Sequence, residues 1–164
     1  MPPLVLDADA LKLLTKMEEW ASLIPKESIL TPHPGEMSVL TGLSVEKIQD
    51  NRLSTAKEWS KKWGHVVVLK GANTVVASPG GRVMVIPIAT PALAKAGTGD
   101  VLAGVIVGLR GQGMAAYEAA ALGAYLHGRA GQLAAEIYQT TASVMAGDVI
   151  DALPEALAEV EAGK

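Results

Sequence analysis

Residues 94–104 read Ala-Lys-Ala-Gly-Thr-Gly-Asp-Val-Leu-Ala-Gly, a turn of small residues running into an apolar stretch. Gly97 and Gly99 allow backbone angles closed to other residues and let a ligand approach the main chain. The apolar run after them predicts a helix, whose first turn leaves N–H groups without internal partners and carries partial positive charge. Gly97, Thr98 and Gly99 are therefore the candidate anion hole. Asp100 fits such a place in two ways: as a helix cap, or as a general base aimed at a hydroxyl beside a bound phosphate. The spacing alone leaves both open.

Two other stretches offer polar groups at the ends of predicted strands. Lys70-Gly71-Ala72-Asn73-Thr74 follows the β-branched run Val66-Val67-Val68-Leu69 and combines a cation, a close-approach glycine and a hydroxyl, as a nucleotide contact needs. Thr31-Pro32-His33-Pro34-Gly35-Glu36 brackets His33 between prolines, which stiffen the backbone on both sides. His33 is thus a rigid donor or acceptor offered to a ligand, with Pro34 opening a helix and Glu36 in its first turn. Asp7 and Asp9 stand at the carboxyl end of the first strand, where open α/β sheets bind ligands; Asp9 is placed to cap the helix that follows, with holding water or a magnesium ion as the alternative.

These residues must be positioned by short buried strands and the helices between them. The length of 164 residues predicts one domain spanning 1–164. Hydrophobic residues make up 49%, with three Trp, three Tyr and no Phe, so aliphatic side chains must fill the core, as in a sheet covered by helices. Strands are expected at 4–6, 28–30 and 66–69, with a hairpin over 74–86 around Ser78-Pro79-Gly80-Gly81. Ser44 is expected to cap one amphipathic helix closed by Gly64. Two helices, Asp100 to about Leu109 and Ala115 to Glu136, carry Gly104, Gly108, Gly123 and Gly128, whose cost close packing should offset. His127 and Arg129 read as structural cations late in the second of them, and Ser143 as the cap of a last apolar stripe ending at Pro154.

The exclusions are equally useful. A net charge of −3 without a basic run argues against nucleic acid or an anionic membrane. No Cys and three scattered His make a zinc site improbable, and no metal-ligating set is expected. No apolar run is long enough to cross a bilayer, and no signal-peptide pattern is present, so a cytoplasmic location is expected. The Walker loop, the kinase signatures, the nucleophile elbow and the dinucleotide fingerprint are all missing.

Four motifs occur in one order: Asp7-Ala8-Asp9-Ala10-Leu11, Thr31-Pro32-His33-Pro34-Gly35-Glu36, Lys70-Gly71-x-x-Thr74 and Ala94 through Gly104. Together with Leu126-His127-Gly128-Arg129-Ala130-Gly131, that order resembles the ADP/ATP-dependent NAD(P)H-hydrate dehydratases, the carbohydrate-kinase-like family of the ribokinase-like superfamily. The resemblance implies an α/β fold, a ribokinase-like three-layer α/β/α sandwich truncated at its N-terminus. It implies a repair reaction in which ADP or ATP, with Mg2+, removes the C6 hydroxyl of hydrated NADH or NADPH as phosphate. Carried over by position, Asp100 is the catalytic base and a substrate contact, and Gly97, Thr98 and Gly99 form the anion hole. Lys70, Gly71, Ala72, Asn73, Thr74 and Gly99 hold the nucleotide, and His33 contacts the hydrated dinucleotide.

Two departures accompany the match. Ala89-Thr90-Pro91 stands where the family usually has Gly-Asn-Pro, so one polar contact is altered. The family's fold also begins well upstream of Asp7, so either the chain is a fragment of a longer protein, or a homo-oligomer or a partner chain is expected to supply the missing half. A small-molecule kinase acting on a sugar or vitamin alcohol, and a non-catalytic nucleotide-binding module, are the competing readings.

Overall fold

A computed structural model of the chain describes residues 2–163. Its centre is a five-stranded sheet of β1 (Val5–Leu6), β2 (Ile29–Leu30), β3 (Val66–Leu69), β4 (Val75–Ala77) and β5 (Val83–Val85), in that spatial order. The first three strands are parallel, with Val5 beside Ile29 and Ile29 beside Val66. The last two are antiparallel and close the sheet as hairpins. The outer edge of β1 carries no strand among the described residues.

β3 shows why the sheet needs cover on both faces. Its residues alternate by the two-residue period of a strand, yet all four are buried. Val67 and Leu69 pack with Leu11, Met37, Ile48 and Trp63 on one side. That side is layered by α1 (Ala8–Leu14), α2 (Trp20–Leu23), α3 (Pro34–Thr41), α4 (Val45–Asp50) and α5 (Arg52–Trp63). Val66 and Val68 pack with Leu102, Ile106, Tyr117 and Ala120 of α6 (Thr98–Gly111) and α7 (Ala116–Tyr138) on the other. A third apolar cluster joins α6 and α7 to α8 (Ala146–Glu161). The result is the expected helix–sheet–helix sandwich.

Several local expectations are corrected. Asp7, not Asp9, occupies the N-cap of α1, and Asp9 sits exposed in its first turn, paired with Lys12 at 2.9 Å. The helix expected from Ser44 to Gly64 is broken at Asn51 into α4 and α5, while Ser44 does cap the first by accepting from the Lys47 N–H. Ser143 caps nothing: α8 starts after Met145, whose N–H donates to Asp148, and it runs on through Pro154. His127 lies midway along α7 rather than near its end, and it is buried. Arg129 is structural as expected, donating to both Glu159 oxygens at 2.6 and 2.8 Å and to Glu136. Those carboxylates, Glu159 first, hold its guanidinium more firmly protonated than usual.

The glycines divide into two kinds. A Cβ on Gly123, Gly128 or Gly131 would fall 2.7 to 2.9 Å from Ile106, Ile88 or Leu93, so α7 lies directly under the segment leading to Gly97. Gly104 and Gly108 have nothing within 4 Å, so close packing does not explain them. Opposite outcomes follow. Gly104→Ala should raise unfolding free energy by about 0.5–1 kcal/mol through helix propensity. Gly131→Val should lower it by roughly 2 kcal/mol through overpacking. Urea denaturation of the two variants checks both signs.

Candidate active site

The sequence pattern Gly-Thr-Gly-Asp sets the start of α6 at Thr98, two residues earlier than the expected Asp100. Gly97 is its N-cap in the left-handed region at φ +85°, where a Cβ would also meet the Ala146 Cβ at 3.2 Å. Thr98 is pinned beneath the turn, its hydroxyl within 2.7 Å of the Leu93 carbonyl and 2.9 Å of the Lys95 carbonyl. The Thr98 N–H closes back on Lys95 at 3.4 Å. The Gly99 and Asp100 N–H groups have no acceptor among the described residues, so these two amides are the free donors of the turn. Asp100 is the third residue of the helix, and its exposed carboxylate makes no hydrogen bond to the protein. It is therefore not a cap.

Three other element ends meet this turn. A Cβ on Gly99 would lie 3.4 Å from Asp7 Oδ2 and 3.6 Å from Lys70 Nζ. Lys70, at the end of β3, is largely buried; its Nζ lies 2.5 Å from Asp7 Oδ1 and 3.6 Å from Glu36 Oε2. Its loop is held from below by Arg52, which donates to the carbonyls of Leu69 and Lys70. Within that loop the Thr74 hydroxyl donates to the Gly71 carbonyl, and Asn73 turns in the left-handed region to donate its N–H to Ile88.

His33 caps α3 with its ring. Nδ1 accepts from the Gly35 and Glu36 N–H groups at 2.9 and 3.3 Å. A ring nitrogen that accepts carries no proton, so the neutral imidazole bears it on Nε2. Nε2 lies 3.5 Å from Glu36 Oε1 on a half-exposed ring, a donor available to a ligand. Glu36 completes a capping box by accepting from the His33 N–H at 2.7 Å, and it is 5% exposed. One buried carboxylate thus touches both His33 and Lys70.

Most of these residues line one cavity of about 780 Å³. His33, Lys70, Gly71, Ala72, Thr74, Gly97, Thr98, Gly99 and Asp100 face it, together with Asp7 and His127. Asn73 alone of the candidate residues does not line it. The sequence reading missed Glu36 and His127 as site residues and placed Asp7 at a ligand-binding strand end without naming it among the site residues. The Pro-His-Pro-Gly-Glu spacing, read as a capping box with His in place of Ser or Thr, was the signal that could have placed Glu36. Chemically, free amides beside an unencumbered carboxylate can hold a phosphoryl group and take a proton from its acceptor. No group of three or more His, Asp or Glu among the described residues is placed to hold a metal ion.

The comparisons with known proteins place the chain in a family. The family model for the NAD(P)H-hydrate dehydratase domain matches residues 1–155. The chain is 47% identical over 159 residues to a bifunctional NAD(P)H-hydrate repair enzyme of Moorella thermoacetica, covering 97% of this chain and 30% of that protein. It is 41% identical over 152 residues to the ADP-dependent (S)-NAD(P)H-hydrate dehydratase of Neisseria meningitidis, covering 92% of this chain and 51% of that one. The ADP/ATP-dependent NAD(P)H-hydrate dehydratase of Bacillus subtilis, crystallised with ATP and Mg2+, superposes with a TM-score of 0.85 at 37% identity, covering 96% of this chain and 55% of the solved one. A ribokinase-like superfamily protein of Enterococcus faecalis superposes at 0.77 and 26% identity, again over 96% of this chain and 52% of the other. The chain therefore spans about half the length of the single-function relatives and less than a third of the bifunctional one.

Burial gives the site a pH signature through His127. Loss of solvent pushes its imidazole down to about 4, helped by the Lys70 charge and opposed by the Thr98 main chain. A depressed histidine binds fewer protons folded than unfolded, so stability rises with pH between about 4 and 6.5 and is fully present above that window. Over that interval the folded state should lose about 3 kcal/mol on acidification, and His127→Gln should abolish that share. Urea titrations of both proteins across pH 4–7 measure the difference.

Proposed function

Because this chain belongs to the NAD(P)H-hydrate dehydratase family, we propose that its cavity dehydrates hydrated NADH or NADPH at the expense of ADP or ATP. The observation that carries the reading is the pair of free amides at Gly99 and Asp100 beside the unbonded Asp100 carboxylate. His33 and the Lys70 loop open on the same cavity. Magnesium, when it accompanies the nucleotide, neutralises phosphate charge.

The steps assign a task to each residue. The nucleotide enters along the Lys70–Thr74 loop, with its terminal phosphoryl group against the first turn of α6. His33 donates from Nε2 to the hydrated dinucleotide and fixes the C6 hydroxyl near Asp100. Asp100 takes the hydroxyl proton as the oxygen attacks phosphorus and the bond to the departing nucleotide breaks. The Gly99 and Asp100 amides stabilise the charge that develops on the moving group. The C6–O bond then breaks with electrons supplied by the ring nitrogen. Inorganic phosphate leaves, a C5 proton is lost and the reduced nicotinamide is restored.

The Thr31–Glu36 motif favours this substrate over a simple alcohol. An assay with hydrated NADPH, each nucleotide and magnesium, run beside a panel of sugar and vitamin alcohols, tests the reading by return of dihydronicotinamide absorbance. Asp100→Asn should lower kcat by roughly 10²–10⁴ while nucleotide binding persists. Phosphorylation of an alcohol without recovery of NADPH would transfer the site to the kinase reading.

A further inference from the structure

The steps above leave one proton without an acceptor. Closing the C5–C6 double bond takes a hydrogen from C5, and the group that receives it must stand within reach of that carbon. Among the described residues, the titratable side chains that face the cavity are Asp7, His33, Lys70, Asp100 and His127. Four of them are unsuited. Asp100 has already taken the hydroxyl proton, and the Lys70 ammonium has no lone pair. His33 uses Nδ1 to accept from the Gly35 and Glu36 N–H groups, so its Nε2 keeps a proton of its own. The His127 ring gives its proton to the Thr98 carbonyl, and its Nε2 is inaccessible.

Asp7 is the exception. It occupies the N-cap position of α1, where an Asp carboxylate ordinarily accepts from first-turn amides, yet its side chain caps nothing. Lys70 Nζ donates to Oδ1 at 2.5 Å, which leaves Oδ2 without a hydrogen bond among the described residues. That oxygen is not entombed. The buried side-chain atoms without partners belong to Arg52, Trp59, His65 and His127, and the Asp7 side chain keeps 13% of its surface exposed. Its placement suits the task, since a Cβ on Gly99 would lie 3.4 Å from Oδ2. The Gly99 amide is one of the two donors proposed for the phosphoryl group, whose bridging oxygen is carried by C6, one bond from C5. Lys70 offsets the charge of Asp7, so a carboxylate can stand beside that group.

We infer, resting on the reading that hydrated NADH or NADPH is dehydrated in this cavity, that Asp7 is the base of the elimination step. As phosphate departs, the C6–O bond breaks and the nitrogen lone pair forms N1=C6. Oδ2 then takes the C5 proton. The C5–H electron pair becomes the C5=C6 bond, and the N1=C6 π pair returns to nitrogen. Asp7 passes its proton to water. The two carboxylates of the cavity thus divide the work, Asp100 removing a proton from oxygen and Asp7 removing one from carbon.

The test follows nucleotide consumption and NADPH absorbance separately in the full chain, on hydrated NADPH with hydrogen or with deuterium at both C5 positions. Wild type should recover NADPH in step with the nucleotide spent. Asp7→Asn keeps an oxygen for Lys70 and suits an N-cap, so it should still spend nucleotide. It should recover NADPH roughly 10²-fold more slowly, with phosphorylated hydrate accumulating. Its C5 isotope effect should exceed that of wild type, because cleavage of the C–H bond has become limiting. Asp7→Glu retains a carboxylate and should restore part of the recovery. An equal loss of both signals in Asp7→Asn, with the isotope effect unchanged, overturns the inference and leaves the proposed reaction standing. Full coupling in Asp7→Asn does the same, giving the C5 proton to the departing phosphate. A wild-type chain that spends no nucleotide on hydrated NADPH overturns the reading of the cavity and this inference with it.

Discussion

A buried ammonium has to be neutralised, and that need organises the catalytic end of this molecule. Lys70 sits between Asp7 and Glu36 at the place where β1 and β3 end and α3 and α6 begin. Pairs of this kind contribute little net stability, because desolvation offsets the attraction, yet removing one partner strands a charge. Their consequence is positional. Four elements that share no continuous sequence are held in register by one cation, and Gly99 is the residue small enough to let α6 close on it.

Around that anchor, the polar groups separate into those the fold consumes and those it leaves over. Thr98, Thr74, Glu36 and His33 Nδ1 are consumed in holding loops and caps. The Gly99 and Asp100 amides and the Asp100 carboxylate are left over, and both residues face one cavity. A folded chain normally pairs its buried polar groups, so a concentration of unspent ones in a single hollow marks where a ligand completes the structure. The consumed groups are no less a part of the chemistry, since they keep the unspent ones from relaxing onto one another.

The far side of the cavity depends on packing rather than charge. Gly128 and Gly131 let α7 run close beneath residues 88–98, which brings His127 up to Thr98. Larger side chains there would lift the segment and separate the ring from the anion turn. The glycines of α7 are thus part of the site's construction, whereas Gly104 and Gly108, on the open side of α6, are not.

Local patterns in the chain determined most of the elements. The β-branched run 66–69 could only be a doubly covered strand, Ser-Pro-Gly-Gly could only turn a hairpin, and Gly42 and Gly64 end their helices in the left-handed region the sequence required. The Gly-Thr-Gly-Asp run and the proline-bracketed histidine were visible for the same reason: their chemistry is written in adjacent residues. What tertiary structure alone decided was partnership across distance. Nothing near Lys70 in sequence says that its cation meets an aspartate 63 residues earlier, and nothing around His127 says that a residue midway along a helix of small side chains is buried against the anion turn. Propensity and spacing are properties of neighbours along the chain, whereas charge pairing and burial are settled only when separate elements are brought together.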